Sequence, residues 1–337
     1  MTVTARVLHQ LRCVSAQPLR NFRNLGHKQK VKSGSAYSAV DGIGEAPLVV
    51  SFASCHQGQP RAGVEHAWMA LAGDEQVVAG TFVDFRDSRK FADPIQGSLL
   101  LGRNISAALA AVGEQGSLPP ASLCLGGDHT VTVGTFTATR RQHPRTRLLW
   151  LDAHPDINTY YILPPHEVAF IGLRSVDDAE AARLQRLQAH GGLVFGAAEV
   201  KERGIGAILR SIQSAWMQAE SPQELAYPLH LSLDVDCMDP EFAPATGTPV
   251  PDGLLPRDVA QILCWANGLA AKGQCHLDIV ELNPMLATAK EAAVTINTSQ
   301  LVLSSWLRSH RVLQQALVGE AVQMGPSVIP ATPDVLG

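Results

Sequence analysis

Residues 151–159 read LDAHPDINT, which sets Asp152, His154 and Asp156 at two-residue intervals behind the apolar run Leu148-Leu149-Trp150-Leu151. On an extended chain alternate side chains point to one side, so all three could converge on one point. Asp and His together are a common ligand set for a divalent metal. The competing reading is a strand that ends in an Asx turn, which Asp and Asn also favour. What separates the two is the company this stretch keeps.

Three other stretches share its layout, an apolar run that ends in polar residues. Ser122–Leu125 leads into Gly126-Gly127-Asp128-His129, Leu229–Leu233 into Asp234-Val235-Asp236, and His276–Val280 into Glu281. In an open parallel sheet, ligands bind outside the carboxyl ends of the strands. Four strands would then deliver two His and at least four Asp to one rim. Like charges gathered there repel by several kcal/mol at low effective dielectric unless a cation neutralises them. Six ligands rich in carboxylate suit a pair of hard or borderline divalent ions better than a single zinc. Separate turns and helix caps at all four strand ends would need four coincidences.

The elements that must hold this rim are legible as short apolar runs separated by longer helical stretches. Strands are expected at Pro47–Ala53, Gln76–Phe85, Ser122–Leu125, Leu148–Leu151, Val168–Leu173, Leu193–Phe195, Leu229–Leu233 and His276–Val280. Amphipathic segments such as Asp178–His190, Gly204–Ala219 and Arg257–Leu269 lie between them. Buried strands alternating with helices imply βαβ units. The expectation is one α/β domain over 46–323, a three-layer αβα sandwich on a mostly parallel sheet of about eight strands. Residues 324–337, rich in Pro, read as an irregular tail.

With 337 residues, 46% of them hydrophobic and 17% charged, the chain can bury a large core. No uncharged apolar stretch approaches ~18 residues, which argues against a membrane span. Six scattered cysteines form no C-x-x-C pair, the usage of a reducing compartment, and Cys124 reads as core. Charge is uneven: residues 1–40 hold seven basic and no acidic residues. That composition reads as a mitochondrial transit peptide, with a disordered basic tail of a cytoplasmic protein as the competing reading. Without the leader, 20 basic residues face 31 acidic ones, a net charge of −11 that argues against nucleic-acid binding.

GGDHT (126–130), DAHPDINT (152–159) and SLDVDCMDPEFAPATGTPVPDGL (232–254) resemble the signatures of ureohydrolases. LDIVELNPMLAT (277–288) and GQPRAGVEH (58–66) are closer still to arginases, and the leader is similar to that of the mitochondrial type. The resemblance implies an arginase/deacetylase-like fold that cleaves the guanidino group of L-arginine to L-ornithine and urea. It implies two Mn²⁺ per chain held by His129, Asp152, His154, Asp156, Asp234 and Asp236, with Asp152 and Asp234 bridging. Asp156 would orient the nucleophile, and Glu281 would pair with the planar guanidinium. Thr248 would line the substrate pocket, Asn158 would hold the α-carboxylate, and Asp177 and Glu180 would face the α-amino group. For the last two, a capped first turn of a helix is the competing reading. The resemblance also implies a homotrimer in the mitochondrial matrix.

The pattern breaks after DINT, where arginases carry a Ser-x-Asn-x-His-Gly segment with carboxylate contacts and a proton-shuttling His. Here YYILPPHEVAFIGLR follows directly, so thirteen residues (155–167) connect His154 to Val168. They can reach ~40 Å but leave no room for a full helix. One sheet face is therefore expected to be poorly covered, and His166, at the amino end of its strand, is no substitute shuttle. Two other readings compete with arginine hydrolysis. One is an agmatinase or other guanidino hydrolase; the other is a non-catalytic arginase-like metal-binding protein or partner subunit.

Overall fold

The structure is a computed structural model that describes residues 48–56, 58, 61–72, 81–85, 93–114, 118–157, 164–218, 227–270 and 274–323. The leader 1–40 and the tail 324–337 lie outside the described residues. Eight strands form one sheet: β1 (Leu48–Ala53), β2 (Thr81–Phe85), β3 (Ala121–Leu125), β4 (Arg147–Leu151), β5 (Val168–Leu173), β6 (Leu193–Gly196), β7 (Leu229–Asp234) and β8 (Cys275–Val280). Every pairing between these strands is parallel, in the order β2-β1-β3-β8-β7-β4-β5-β6. The described part of the strand expected at 76–85 begins at Thr81.

The helices are α1 (Ala67–Ala72), α2 (Pro94–Gly113), α3 (Val131–Gln142), α4 (Asp178–Ala189), α5 (Ala197–Arg203), α6 (Ile205–Gln218), α7 (Pro256–Leu269) and α8 (Ala289–Gln323). They cover both faces, because alternate strand residues face opposite ways. Leu149, Leu151, Leu231, Leu277 and Ile279 pack with α6, α7 and α8 in the larger core. Val49 and Cys124 on the other face lie under Leu101, Ile105 and Leu109 of α2.

The expectation of a bare face after the short crossover is not met. Phe136 of α3 and Leu184 and Leu187 of α4 close over Leu148, Val168 and Phe170, which are 3%, 0% and 0% exposed. The helices before β4 and after β5 thus cover the area that a crossover helix would have shielded. Helix α2 holds the stretch Ile95–Gly113, which by length and composition alone could cross a membrane. It nevertheless contains Arg103 and packs a buried stripe onto the sheet, as a core helix does.

Helices α2 and α3 touch backbone to backbone. A Cβ on Gly134 would lie 1.8 Å from the Ser98 carbonyl oxygen, and one on Gly102 would lie 2.3 Å from that of Gly134. Ser98 clamps the crossing, its Oγ accepting from Gly134 N at 2.7 Å and donating to Val131 O at 3.0 Å. Gly134→Ala should cost about 2–3 kcal/mol by overpacking. Thermal unfolding should then shift down by roughly 5–10 °C for a domain of this size. An unchanged Tm would show that the helices do not cross this closely.

Candidate metal centre

The strands β3, β8, β7 and β4 are neighbours in the middle of the sheet, so their carboxyl ends form one rim. The chain builds β1 to β3 on one side and β4 to β6 on the other, then inserts β7 and β8 between them. The rim is therefore a topological switch point, where a crevice opens. His129 follows β3 through Gly126 and Gly127, both at positive φ (84° and 87°). A Cβ on Gly126 would lie 2.7 Å from the Trp68 amide nitrogen, so the turn needs glycine. Gly126 N donates to Ile279 O at 2.9 Å, and Glu281 N donates to Gly127 O at 3.0 Å, which ties the turn to β8. Asp128 accepts from Gly58 N at 2.8 Å.

Five of the six expected ligands converge as two overlapping groups, His129/Asp152/Asp234 and Asp152/His154/Asp236, with the ligand atoms of each within 4.8 Å of one another. His129 Nδ1 lies 3.0 Å from Asp152 Oδ2, 3.3 Å from Asp234 Oδ2 and 3.5 Å from Asp156 Oδ2. His154 Nδ1 lies 3.1 Å from Asp236 Oδ2 and 3.5 Å from Asp152 Oδ1. Asp156, the sixth, reaches in from an exposed position at φ 50°, a left-handed conformation that Asp tolerates. Asp152 is the member common to both groups. Asp234 belongs to the first alone, and its Oδ1 accepts the Asp236 amide at 2.8 Å.

The donor set fits a divalent cation on one structural observation above all. His129 Nδ1 is buried and makes no hydrogen bond, although three carboxylate oxygens surround it. Burial pushes the Asp152 carboxyl up to about 6, and the charge of Asp236 adds to it. Burial and the charges of Asp236 and Asp152 raise Asp234 well above the usual carboxylate range. For His154, burial acts to lower the pKa, but hydrogen bonds to Asp152 and Asp236 outweigh it and hold the imidazole at about 11. Without a cation, protons do the neutralising.

Glu281, at φ 65° and 5% exposed, places Oε1 2.8 Å from the His129 amide. A buried non-glycine residue held at positive φ marks stored strain of the kind found at functional sites. Thr248 Oγ1 donates to Asp236 Oδ2 at 3.2 Å, so it adjoins the rim. Asp177 and Glu180 form a reciprocal capping box at the start of α4, with Glu180 N to Asp177 Oδ1 at 2.8 Å and Asp177 N to Glu180 Oε2 at 3.2 Å. Burial raises the Glu180 carboxyl, and the charges of Asp177 and Asp156 add to it, so this cap lies within reach of the rim's field. Asn158 lies outside the described residues. His166 is exposed in the turn before β5, at the amino end of its strand.

Sequence reasoning passed over residues that hold this cluster. Trp150 stacks on His129 with ring centroids 4.0 Å apart and donates Nε1 to Asp152 Oδ2 at 2.9 Å. Arg174 binds the carbonyls of Asp236 (2.7 Å) and Val250 (2.7 Å), pinning the segment after β7. Ser232 Oγ lies 2.7 Å from His129 Nε2. Trp150 was detectable, since it precedes Asp152 by two residues and so shares its side of the strand.

Known proteins resemble this chain in the same region. The arginase-family sequence profile matches residues 48–304. Arginase-1 of Bos taurus is 32% identical over 292 residues, covering 72% of this chain and 87% of that protein. The arginase of Entamoeba histolytica in complex with L-ornithine superposes with a TM-score of 0.62 at 22% identity, covering 79% of this chain and 99% of the other. The agmatine ureohydrolase of Thermoplasma volcanium gives 0.58 at 21% identity, covering 86% and 97%. At those identities the two structures speak for the fold alone, while the profile runs through all four strand ends of the rim. By fold, sequence and the residues gathered at its switch point, the chain belongs to the arginase family.

Proposed function

We propose that the protein is a dimanganese hydrolase that cleaves the guanidino group of L-arginine to give L-ornithine and urea. The observation that carries this reading is the pair of overlapping His/Asp groups sharing Asp152, with Glu281 beside them on the His129 amide. His129, Asp152, Asp156 and Asp234 would hold one ion, and Asp152, His154, Asp236 and, as a second bridge, Asp234 the other. The chemistry such ions supply when bound is the acidification of water to near-neutral pKa. The chain's own residues would do the rest. Glu281 pairs with the planar guanidinium, as carboxylates do with bidentate donors. Asp156, at the exposed lip, orients the attacking group, and Thr248 keeps Asp236 turned inward. Asp177 uses one oxygen to cap α4, which leaves the other to meet an ammonium group.

Although burial acts to lower it, Asp152 and Asp236 hold the His154 imidazole at about 11, so cation binding there must displace its proton. Affinity should therefore rise with pH, by up to tenfold per unit for each proton released. Calorimetric titration with Mn²⁺ in buffers of different ionisation enthalpy should register that release. Affinity that stays flat between about pH 6 and 9 would rule out the imidazole as a ligand.

The activity itself is tested by urea release from the purified chain with Mn²⁺. Arginine should be cleaved faster than agmatine, because Asp177 and the VELNPMLAT stretch favour a substrate with α-amino and carboxylate groups. Faster release from agmatine would reverse the choice of substrate. No release with both metals bound would favour the non-catalytic reading, which the absence of Ser-x-Asn-x-His-Gly after DINT motivates.

A further inference from the structure

We infer that Thr132, backed by the buried pair His230–Asp278, sets the direction of a hydrogen-bond chain that fixes the His129 tautomer with Nδ1 facing the carboxylates. The inference rests on the reading of His129 as a metal ligand. It begins with an unusual interface. Ser232 of β7 is the register partner of Asp278 of β8, and His230 lies two residues before Ser232, on the same side of the sheet. Thr132, Thr135 and Thr139 of α3 lie above them at i, i+3 and i+7 spacing, all buried. A polar stripe on a helix thus meets a polar stripe on two strands inside the core, an arrangement that is costly unless each group is satisfied.

Asp278 Oδ2 is the anchor. It lies 2.5 Å from Thr135 Oγ1, 2.9 Å from His230 Nε2 and 3.1 Å from Thr132 Oγ1. Three donors around one oxygen is the environment of a carboxylate acceptor. A hydroxyl has a single hydrogen to give. Thr132 gives its own to Asp278, so it can only accept from Ser232 Oγ, 2.7 Å away. Ser232, having donated to Thr132, must in turn accept from His129 Nε2 at 2.7 Å. The imidazole is thereby held with its proton on Nε2. In the neutral ring the lone pair then falls on Nδ1, the buried atom with no hydrogen bond among the carboxylates. The opposite polarity would turn an oxygen lone pair of Thr132 against the Asp278 carboxylate with no proton between them. Thr132 and Asp278 are positioning residues: they touch neither cation nor substrate, and act through Ser232 on His129.

Such outer partners of a ligating His typically change metal affinity ~10–100-fold. The test is Mn²⁺ titration of the full chain, with stoichiometry and affinity read by calorimetry and by electron paramagnetic resonance, and the metal-free Tm recorded alongside. Thr132→Val keeps the shape and removes the relay. One ion should lose ~10–100-fold in affinity while the other keeps its own, and Thr132→Ser should restore the loss. Thr132→Val/Ser232→Ala should bind no worse than Ser232→Ala alone, because both changes break the same chain. Asp278→Asn should act in the same direction, and where it fails to fold the Thr132 variants decide. Wild-type affinity for both ions in Thr132→Val, or no rescue by Ser, would overturn this inference alone. A wild-type protein that binds no ion would overturn the metal reading and this inference with it.

Discussion

Asp152→Asn should empty both halves of the candidate metal centre at once. Asp152 alone belongs to both His/Asp groups, with Oδ1 near His154 and Oδ2 near His129. Its two oxygens also accept from the His154 amide at 2.7 Å and from Trp150 Nε1 at 2.9 Å. Asparagine keeps the volume and one acceptor but loses the charge that either cation would need. Partners one step removed from a metal are worth ~10–100-fold in affinity, so a shared direct ligand should cost at least ~100-fold at each ion. Urea release should fall with it. Stability gives a second readout, since a ligand at 100 times its Kd adds about 2.7 kcal/mol to the folded state. Added Mn²⁺ should therefore raise the wild-type Tm and leave that of Asp152→Asn unmoved. Loss of a single ion in this variant would leave Asp234 as the one bridge. Asp234→Asn tests the second bridge: although Asp234 belongs to one group alone in the metal-free geometry, its loss should weaken both ions, and loss of one alone would place it on a single ion.

The parts of this architecture that were legible in the sequence are those that local chemistry determines. Each described strand coincides with an apolar run because both faces of a parallel sheet are buried. The ligands were legible because each lies within about five residues after such a run, where the fold class puts its crevice. The capping box Asp177/Glu180 shows as D-x-x-E before a helical stretch. The order β3-β8-β7-β4 was not legible, since it depends on pairing between segments 154, 46 and 82 residues apart, as Leu123 with Leu277, Leu229 with Cys275 and Arg147 with Leu229. Nor was the role of α3, whose TVTVGTFTAT reads as a poor helix former. Its threonines matter because β7 and β8 bring His230, Ser232 and Asp278 beneath them. The covered face over β4 and β5 was missed for the same reason, because Phe136 and Leu184 come from helices on either side in sequence. Arg174 ends the apolar run Val168–Leu173 as a lone basic residue, and nothing local says that its partners are carbonyls some 62–76 residues away.

Grafting an arginase crossover that contains Ser-x-Asn-x-His-Gly between Thr159 and Val168 should raise both rate and affinity for arginine. The unmodified chain should hydrolyse arginine weakly and saturate poorly. The reason is chemical. The metal rim and Glu281 belong to strands that the β4–β5 connection does not interrupt, and Leu148, Val168 and Phe170 are covered. The cost therefore falls on groups that the crossover would have carried. A missing general acid or base typically removes ~10²–10⁴-fold in rate. Lost contacts to the substrate carboxylate should raise KM as well, since its charge would enter the site unpaired. Activity of the unmodified chain should climb at alkaline pH, where solvent bases can stand in for a positioned one. The grafted chain should lose that climb, and this separates a restored shuttle from a mere gain in binding. Turnover in the native chain equal to that of an ordinary arginase would mean another residue performs the transfer. His166 is a poor candidate, exposed at the amino end of β5. Tyr160, outside the described residues, would be the first to replace with Phe. A graft that leaves both rate and KM unchanged while two ions are bound would sink the proposal, because the defect would then lie in the rim itself.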